Sequence, residues 1–302
     1  MKKATIGICT YFRHEAIKTL QSLIDISLPL GWELNIVIAD NSAEHEAKNR
    51  LEEFKRTSDL KFDIVHAPSS NISIARNACL DFAQDIDSDV LVFIDDDEIV
   101  TSSWLCHLIE EYTASESQVV IGPVEPIYEE TPPSWVEALR LHFKGKPKTL
   151  PILTAPSCNT LIDMGTVKSL DLRFDLSLGQ TGGEDNIFFK VITLNGGKIS
   201  YAAEALVYEF IPSSRTRFDW FLTRKKSNGH TYARMLKMES KNSFDVIKEI
   251  IVASAKAFIS LISATINLYS PIKRKYWLMR LMFHYGVVLG LFGRTEMELY
   301  GQ

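Results

Sequence analysis

The sequence predicts an α/β protein, with a mostly parallel sheet sandwiched by helices and a helical appendage at the C-terminus. Short apolar runs that do not alternate with polar residues recur through the first 125 residues, and helical patterns separate them. Continuous apolar strands of this kind are typical of parallel sheets that helices cover on both faces. The chain of 302 residues, 46% of them apolar, is long enough for one large domain and an appendage.

The predicted elements follow one another in a regular order. Strands are predicted at 4–9, 34–39, 62–67, 90–94 and 119–122, and helices at 16–24, 44–56, 73–84 and 102–114. Residues 123–160 are rich in proline and predicted to be irregular, a helix is expected over 185–194, and one closing strand is expected over 199–210. We therefore divide the chain into an α/β domain, residues 1–210, and a helical tail, residues 211–302.

Charge is divided unevenly between these two parts. Residues 1–210 contain 18 basic and 32 acidic side chains, whereas residues 211–302 contain 15 basic and 6 acidic ones. An acidic body is unsuited to nucleic acid, and a basic tail suits an anionic surface. The N-terminus lacks the long apolar stretch of a signal peptide and the four cysteines show no CxxC spacing, so we expect a cytoplasmic protein.

Polar side chains follow three of the predicted strands at the points where the strands end. They are Thr10, Tyr11 and Arg13 after the first strand, Asp40, Asn41 and Ser42 after the second, and Asp95, Asp96, Asp97 and Glu98 after the fourth. Sheets of this type bind ligands outside the carboxyl ends of their strands. The sequence therefore predicts a binding site at this edge of the sheet.

The segment FIDDDE, residues 93–98, places three aspartates directly after a buried strand. Two carboxylates about 4 Å apart repel by roughly 4 kcal/mol at an effective dielectric of 20, and a Mg²⁺ or Mn²⁺ ion removes that repulsion. Alternation along a strand predicts Asp95 and Asp97 on one side and Asp96 on the other. A solvated acidic turn or a helix N-cap would use the same residues without a metal.

A second acidic pair, Glu184 and Asp185, follows two glycines and begins a predicted helix. Acidic residues are favoured at helix N-termini, so a simple cap is one explanation. The glycines also allow close approach of a substrate, and transfer to a hydroxyl needs a general base within hydrogen-bond reach. The pair is therefore a candidate catalytic centre, in which a neighbouring carboxylate would raise the pKa of the base.

Five segments in this order resemble the family 2 inverting glycosyltransferases with the GT-A fold, of the bacterial polysaccharide-biosynthesis type. They are TYFR (10–13), ADNS (39–42), NISIARN (71–77), FIDDDE (93–98) and GGEDNIFF (182–189), and the resemblance spans residues 4–225. It implies a GT-A-like, Rossmann-type sheet. It also implies metal-dependent transfer of a sugar, with inversion, from a nucleotide donor to a glycan or lipid-linked acceptor in cell-surface polysaccharide or glycolipid synthesis.

The resemblance further implies roles for individual residues. Asp185 would be the base and Glu184 would orient hydroxyl groups, while Asp97 and Asp95 would hold the divalent cation. Glu209 stands about where the family often has a histidine ligand, although a surface strand residue is an equal alternative. The predicted donor-binding residues are Thr10, Tyr11, Arg13, Asp40, Asn41, Arg76, Asn77, Asp95 and Asp96.

Two features of the resemblance leave choices open. Asn41 departs from the commoner DDGS form of its segment, so UDP is the first choice of nucleotide but the base is not fixed. Basic residues at 215, 217 and 224–226 resemble a segment that lies over the diphosphate, although a solvated basic face is their simpler explanation.

The tail contains two apolar stretches, 246–269 and 277–293, on either side of a basic turn. Its uninterrupted apolar run of about thirteen residues is shorter than the ~20 needed to span a bilayer. We expect two amphipathic helices attached to the anionic inner face of the cell membrane. A helical pair packed on the α/β domain or on a second copy is the alternative.

Two other functions are compatible with an α/β fold of this kind. A sugar-nucleotide-forming nucleotidyltransferase would have a glycine-rich loop after its first strand, and TYFRHEA contains no glycine. A non-catalytic carbohydrate-binding or scaffold protein of the same fold would not need both acidic centres. The sequence therefore favours a glycosyltransferase.

Overall fold

The computed structural model describes residues 1–11, 15–42 and 46–294, so the predicted donor-binding residue Arg13 lies outside the described residues. The strands in the described residues are β1 (Lys2–Thr10), β2 (Trp32–Asp40), β3 (Asp63–His66), β4 (Val90–Asp95), β5 (Glu98–Val100), β6 (Val119–Ile121), β7 (Val124–Tyr128), β8 (Thr160–Asp163), β9 (Ile199–Tyr201) and β10 (Val207–Ile211). The α-helices are α1 (Ala16–Ser22), α2 (Glu46–Thr57), α3 (Ile72–Asp85), α4 (Trp104–Ser115), α5 (Ser134–Ala138), α6 (Met164–Ser169), α7 (Glu184–Leu194), α8 (Phe218–Glu239), α9 (Ser243–Ile266) and α10 (Pro271–Leu291).

Two sheets organise these strands. The main sheet has the order β3-β2-β1-β4-β8-β6-β9, and the small sheet has the order β5-β10-β7. In the main sheet β8 runs antiparallel to both of its neighbours, whereas the other pairs are parallel. The predicted α/β class with a mostly parallel sheet is confirmed.

Helices cover the main sheet on both faces, as its continuous apolar strands predict. On one face, buried Ile6, Ile36 and Ile94 pack against α1, α2 and α4. On the other face, Val37 and Phe93 pack against α3 and α7. Because β1, β4 and β6 are buried on both sides over most of their length, they show no alternation of polar and apolar residues.

The predicted single strand over 199–210 is wrong. Its first part is β9 of the main sheet, and its last part is β10 of the small sheet. Across the turn between them, the strand that the chain lies beside changes from β6 to β7. Ala202 N donates to Ile121 O (2.9 Å) at the end of β6, and Val207 N donates to Pro123 O (3.1 Å) just before β7. The segment 123–160, predicted to be irregular, contains β7 and α5.

Three long helices follow the small sheet. Helix α10 lies between α8 and α9 and contacts both along much of its length. A Cβ atom at Gly286 would collide with the carbonyl oxygen of Lys226, so glycine is required for this close approach of α10 to α8. Buried Val136 of α5 packs against Phe221 and Met279, and this contact joins the helices to the α/β part. The division of the chain into domains at residue 210 stays a prediction.

Candidate active site

The ends of β1, β2 and β4 meet at one edge of the main sheet because these strands are parallel neighbours. Thr10 is paired with Asp40, and Asp95 is paired with Cys9, one residue before Thr10. Three of the predicted site residues therefore lie side by side, as expected for a sheet of this type.

Asp40 is completely buried at this edge. Its Oδ1 accepts hydrogen bonds from Ser42 N (3.0 Å) and Ser42 Oγ (2.6 Å). Its Oδ2 is buried without a hydrogen-bond partner among the described residues. A buried carboxylate oxygen without a donor is costly, so this atom is suited to an N–H donor from a ligand.

Asn41 and Tyr11, both predicted to bind the donor, differ in their surroundings. With its amide oriented to satisfy both groups, Asn41 donates to Ala67 O (2.9 Å) and accepts from Asn71 N (3.2 Å). It therefore ties the end of β2 to the start of α3. Tyr11 is exposed, and its hydroxyl accepts a hydrogen bond from Ser70 Oγ (3.2 Å).

Asp96 is buried beneath the sheet edge. Its Oδ2 accepts from Thr10 Oγ1 (2.8 Å), and its backbone oxygen accepts from Thr19 Oγ1 (3.0 Å). Strand β4 ends at Asp95, and Asp96 and Asp97 form a turn, so strand alternation does not apply to them. In this structure Asp96 and Thr10 hold the turn to β1.

Arg76 of α3 connects the two acidic centres that the sequence predicted separately. Its guanidinium forms an ion pair with Glu184, and its Nη2 lies 4.0 Å from Oδ1 of Asp95. Burial lowers the pKa of Arg76, but the charges of Glu184, Asp185 and Asp95 outweigh that effect and raise it above its usual value. The arginine therefore stays charged between these carboxylates.

Glu184 and Asp185 begin α7 after two glycines with positive φ, and Glu184 is only 4% exposed. A Cβ atom at Gly183 would collide with Thr231 of α8. While Oε1 of Glu184 accepts from Arg76, its Oε2 is buried with no partner in the described part of the chain. Burial raises the pKa of Glu184, Arg76 opposes that effect, and Asp185 adds to it.

The Asp185 carboxylate is half-buried and oriented by backbone donors. Its Oδ1 accepts from Asn186 N (2.7 Å) and Asn186 Nδ2 (2.7 Å), and its Oδ2 accepts from Ser157 N (3.3 Å). The two carboxylates thus differ in role: Glu184 is held by an arginine, and Asp185 by N–H groups.

Glu98, which the sequence argument left without a role, is completely buried beside Asp95. Its Oε2 accepts from Asp95 N (2.8 Å), and within the described ranges its buried Oε1 has no hydrogen-bond partner. Carboxylate oxygens of Asp95 and Glu98 and the Sγ atom of Cys158 lie within 4.8 Å of one another. Burial raises the pKa of Glu98, and the charge of Asp95 raises it further.

This group fits a hard divalent cation through its oxygens. Mg²⁺ and Mn²⁺ favour carboxylate ligands, and a cation would neutralise the buried Glu98 Oε1. Burial raises the pKa of the Cys158 thiol well above its usual value, so a thiolate ligand is not favoured there. Asp95 and Glu98 are therefore the residues of this group that could hold such an ion.

Asp97 and Glu209, the other two predicted metal ligands, both accept from the guanidinium of Arg215. Nη1 of Arg215 donates to Asp97 Oδ2 (3.4 Å) and to Glu209 Oε1 (3.3 Å). Nζ of Lys144 donates to Glu209 Oε2 (2.6 Å). Burial lowers the pKa of Lys144, but the acidic side chains around it raise it well above its usual value.

Several residues of this site depend on contacts that the sequence does not display. Asn77, predicted to line the donor site, bonds to both backbone groups of Phe174 (2.8 and 2.9 Å) and so fixes the chain before α7. Lys144 and Ser157 lie in the segment predicted to be irregular, and no pattern marks them. Glu98 could have been found, because it belongs to the FIDDDE segment.

The sheet edge thus combines a buried acceptor atom at Asp40 with two acidic centres and an arginine between them. The protein belongs to the family described as Glycosyl transferase family 2, whose profile matches residues 5–166. The chain is 37% identical over 304 residues to the succinoglycan biosynthesis protein ExoM of Rhizobium meliloti (strain 1021), with 98% of this chain and 95% of that protein covered. It is a glycosyltransferase, and the family predicted from the sequence is confirmed.

Solved structures support the same fold. The mannosyltransferase PcManGT from Pyrobaculum calidifontis, in complex with GDP-Man and Mn²⁺, superposes with a TM-score of 0.63 at 15% identity, covering 97% of this chain and 88% of that one. S. aureus TarS 1–349 in complex with UDP-GlcNAc superposes with a TM-score of 0.55 at 16% identity, covering 100% and 99%. The predicted GT-A-like fold is confirmed.

Proposed function

We propose that this protein transfers a sugar, with inversion, from a nucleotide-sugar donor to a hydroxyl of a lipid-linked glycan in polysaccharide synthesis. The arrangement that carries the proposal is Arg76, which joins the donor-side Asp95 to the acceptor-side Glu184. The biosynthetic role of the 37% identical relative supports a polysaccharide acceptor. UDP is the first choice of nucleotide, although the neighbours include both UDP and GDP complexes.

The buried carboxylate oxygens supply three distinct functions. Asp40 Oδ2 accepts an N–H of the nucleobase, and Glu184 Oε2 accepts a hydroxyl of the sugar. Asp185 takes the proton from the acceptor hydroxyl as that oxygen attacks the anomeric carbon. The bond from this carbon to the diphosphate breaks, and its electron pair leaves with the diphosphate oxygen.

A divalent cation, Mn²⁺ or Mg²⁺, supplies charge neutralisation at the departing diphosphate when bound. Asp95 with Glu98 and Asp97 would hold it at the turn after β4. Mn²⁺ in the complex of the mannosyltransferase supports this choice of metal. Glu209 is not one of these proposed ligands.

Replacement of Asp185 by Asn tests the assigned base. We expect transfer to fall by about 10²–10⁴-fold, the range of general base catalysis, with UDP binding in Mn²⁺ changed less than about twofold. Transfer is measured from UDP- and GDP-sugars to a lipid-linked saccharide, and binding by calorimetry. Asp63→Asn, an exposed position on β3, is the matched control. Full transfer by Asp185→Asn would refute the assignment.

We further infer that α9 attaches the enzyme to the anionic inner face of the membrane. The helix has 24 residues and a mean hydropathy of 1.7 over its most apolar 18-residue window, of which only 17% is buried, so by length and composition alone it could also cross a membrane. One long face rests on α10 through Ala253, Ser260 and Ala264, and this contact favours an in-plane position. The exposed apolar side chains are Phe244, Ile247, Ile251, Phe258, Ile259, Leu261, Ile262 and Ile266.

The predicted second amphipathic helix has a different role, because α10 is packed between α8 and α9. Exposed cations lie on and beside the apolar face, at Lys248, Lys256, Lys273 and Arg274. An apolar face with cations beside it binds anionic lipid in the plane of the bilayer. The proposed lipid surface is therefore α9 together with the first turn of α10.

Flotation with vesicles that contain phosphatidylglycerol tests this attachment. We expect wild-type protein to float and the double variant Phe258→Glu/Ile262→Glu to lose at least about tenfold in bound fraction, because charge is costly in the hydrocarbon. Leu30→Glu, a fully exposed position before β2, is the matched control. Light scattering that shows an α9-dependent dimer, with no vesicle binding, would contradict the inference.

A further inference from the structure

The proposal below rests on the proposed function and concerns Glu209, which the family resemblance assigned to the metal. Strands β5 and β10 pair in antiparallel register, and this register places Glu209 directly opposite Glu98. Two like charges at opposed positions are unfavourable unless cations lie between or beside them. Lys144 and Arg215 are the side-chain cations that contact Glu209.

Both oxygens of Glu209 are engaged by these cations. Oε2 accepts from Lys144 Nζ (2.6 Å), and Oε1 accepts from Arg215 Nη1 (3.3 Å). The Glu209 side chain is only 11% exposed, whereas those of Lys144 and Arg215 are 38% and 26% exposed. The carboxylate is thus buried, whereas the two cations that contact it remain partly exposed.

The backbone fixes Lys144 in this position. Lys144 N donates to Val124 O (3.0 Å) and Val124 N donates to Lys144 O (2.8 Å), so the residue is paired with the first residue of β7. Strand β7 pairs with β10, which carries Glu209. Arg215 also donates to Asp97 Oδ2 (3.4 Å), and this bond connects the cations to the turn after β4.

We propose that Glu209 is a positioning residue that holds Lys144 and Arg215 against the departing diphosphate, rather than a ligand of the metal. When the bond from the anomeric carbon to the diphosphate breaks, the negative charge of the leaving oxygens is met by two side-chain cations. Arginine binds such oxygens through a planar fork, and lysine acts as a point charge. Asp95 and Glu98, whose oxygens lie close together beside Cys158, would hold the divalent ion.

Binding of UDP to the full chain in Mn²⁺ tests this assignment without turnover. Calorimetry gives the UDP affinity, and the resonance of free Mn²⁺ gives the metal affinity at saturating UDP. We expect Lys144→Gln and Glu209→Gln each to weaken UDP about tenfold, with Mn²⁺ affinity changed less than about threefold. Because Lys144 and Glu209 act through one ion pair, the double variant is expected to weaken UDP binding by much less than the product of the two single effects.

Two further variants separate the roles. Glu209→His supplies a metal-ligating nitrogen in place of the carboxylate but loses the negative charge, so we expect it to behave like Glu209→Gln. Lys144→Arg keeps the charge, and we expect it to bind UDP within about threefold of wild type. Lys146→Gln, an exposed position in the same segment, is the matched control.

Loss of Mn²⁺ affinity in Glu209→Gln with recovery in Glu209→His would overturn the proposal and make Glu209 a ligand. Unchanged UDP affinity in Lys144→Gln would overturn it as well. A wild-type chain that binds neither UDP nor GDP in Mn²⁺ would instead refute the proposed function, and the role of Glu209 with it.

Discussion

Arg76 dominates the electrostatics of the candidate site because it contacts carboxylates of both acidic centres, Asp95 and Glu184. The NISIARN segment marks it in the sequence, but its partners come from two other regions of the chain. Arg76 is only 8% exposed, so its positive charge is stable there only beside carboxylates. The buried carboxylates in turn need the charge of the arginine.

Removal of this arginine is expected to destabilise the fold as well as the chemistry. Arg76→Met leaves Glu184 buried and unpaired, so the free energy of unfolding should fall by about 3 kcal/mol. The double variant Arg76→Met/Glu184→Gln removes both charges and should recover most of that stability while transfer stays low. Chemical denaturation and a transfer assay measure the two effects. Wild-type stability in the single variant would contradict the ion pair.

Residue roles divide according to how much tertiary structure they need. Asp40 and Asp95 could be placed from the sequence because the ends of parallel strands share one edge. Donor binding by Asn41, Asn77 and Asp96 stays a prediction, and in this structure these residues form hydrogen bonds to other parts of the chain. A motif gives the residue type at a position, but it does not show which way the side chain points.

At the level of elements, the helices of the tail show the same division. Two apolar stretches were predicted to be equivalent amphipathic helices. In the structure α10 packs against both α8 and α9, and α9 has the more extensive exposed apolar face. Only packing distinguishes them, since the difference lies in which neighbours each helix contacts.

Helix α10 also carries a buried histidine with a testable pH dependence. Burial, together with the charges of Arg280 and Lys256, lowers the pKa of His284 to about 4. The unfolded chain binds this proton near pH 6.5, so His284 contributes stability above that pH and loses it as pH falls towards 4.

We expect the free energy of unfolding to fall by about 2 kcal/mol more in wild type than in His284→Gln between pH 7 and pH 4.5. Denaturant titrations at both pH values measure this difference. The comparison between the two proteins removes the contribution of His142, whose pKa burial also lowers to about 4. Parallel pH profiles for the two proteins would exclude a neutral buried His284.

At the scale of the whole molecule, charge is divided between an acidic part, residues 1–210, and a basic part, residues 211–302. Because the donor and the metal are expected to bind together, only their combination should stabilise the native state. At about 100 times the dissociation constant a ligand adds about 2.7 kcal/mol of stability. For a chain of this size we expect the melting temperature to rise by roughly 5 °C.

A thermal-shift series measures this cooperation, with UDP, GDP and ADP tested in Mn²⁺ and in EDTA. Stabilisation by UDP or GDP in Mn²⁺, with little in EDTA and little by ADP, is the expected result. An equal shift in EDTA would count against a metal-bound diphosphate, and no shift with any nucleotide would favour a non-catalytic protein.

The amino-acid sequence alone predicts the α/β class, the edge of the sheet that carries the candidate site, and the family of the protein. These follow from local patterns: apolar runs long enough for buried strands, polar residues at strand ends, and short segments in a fixed order. Three features are seen only in the folded chain. Strand β8 runs antiparallel, residues 199–210 contribute strands to two sheets, and Glu98, Lys144 and Arg215 lie around Glu209. Such contacts join residues far apart in the chain, and their free energy depends on burial and distance, which no local pattern encodes.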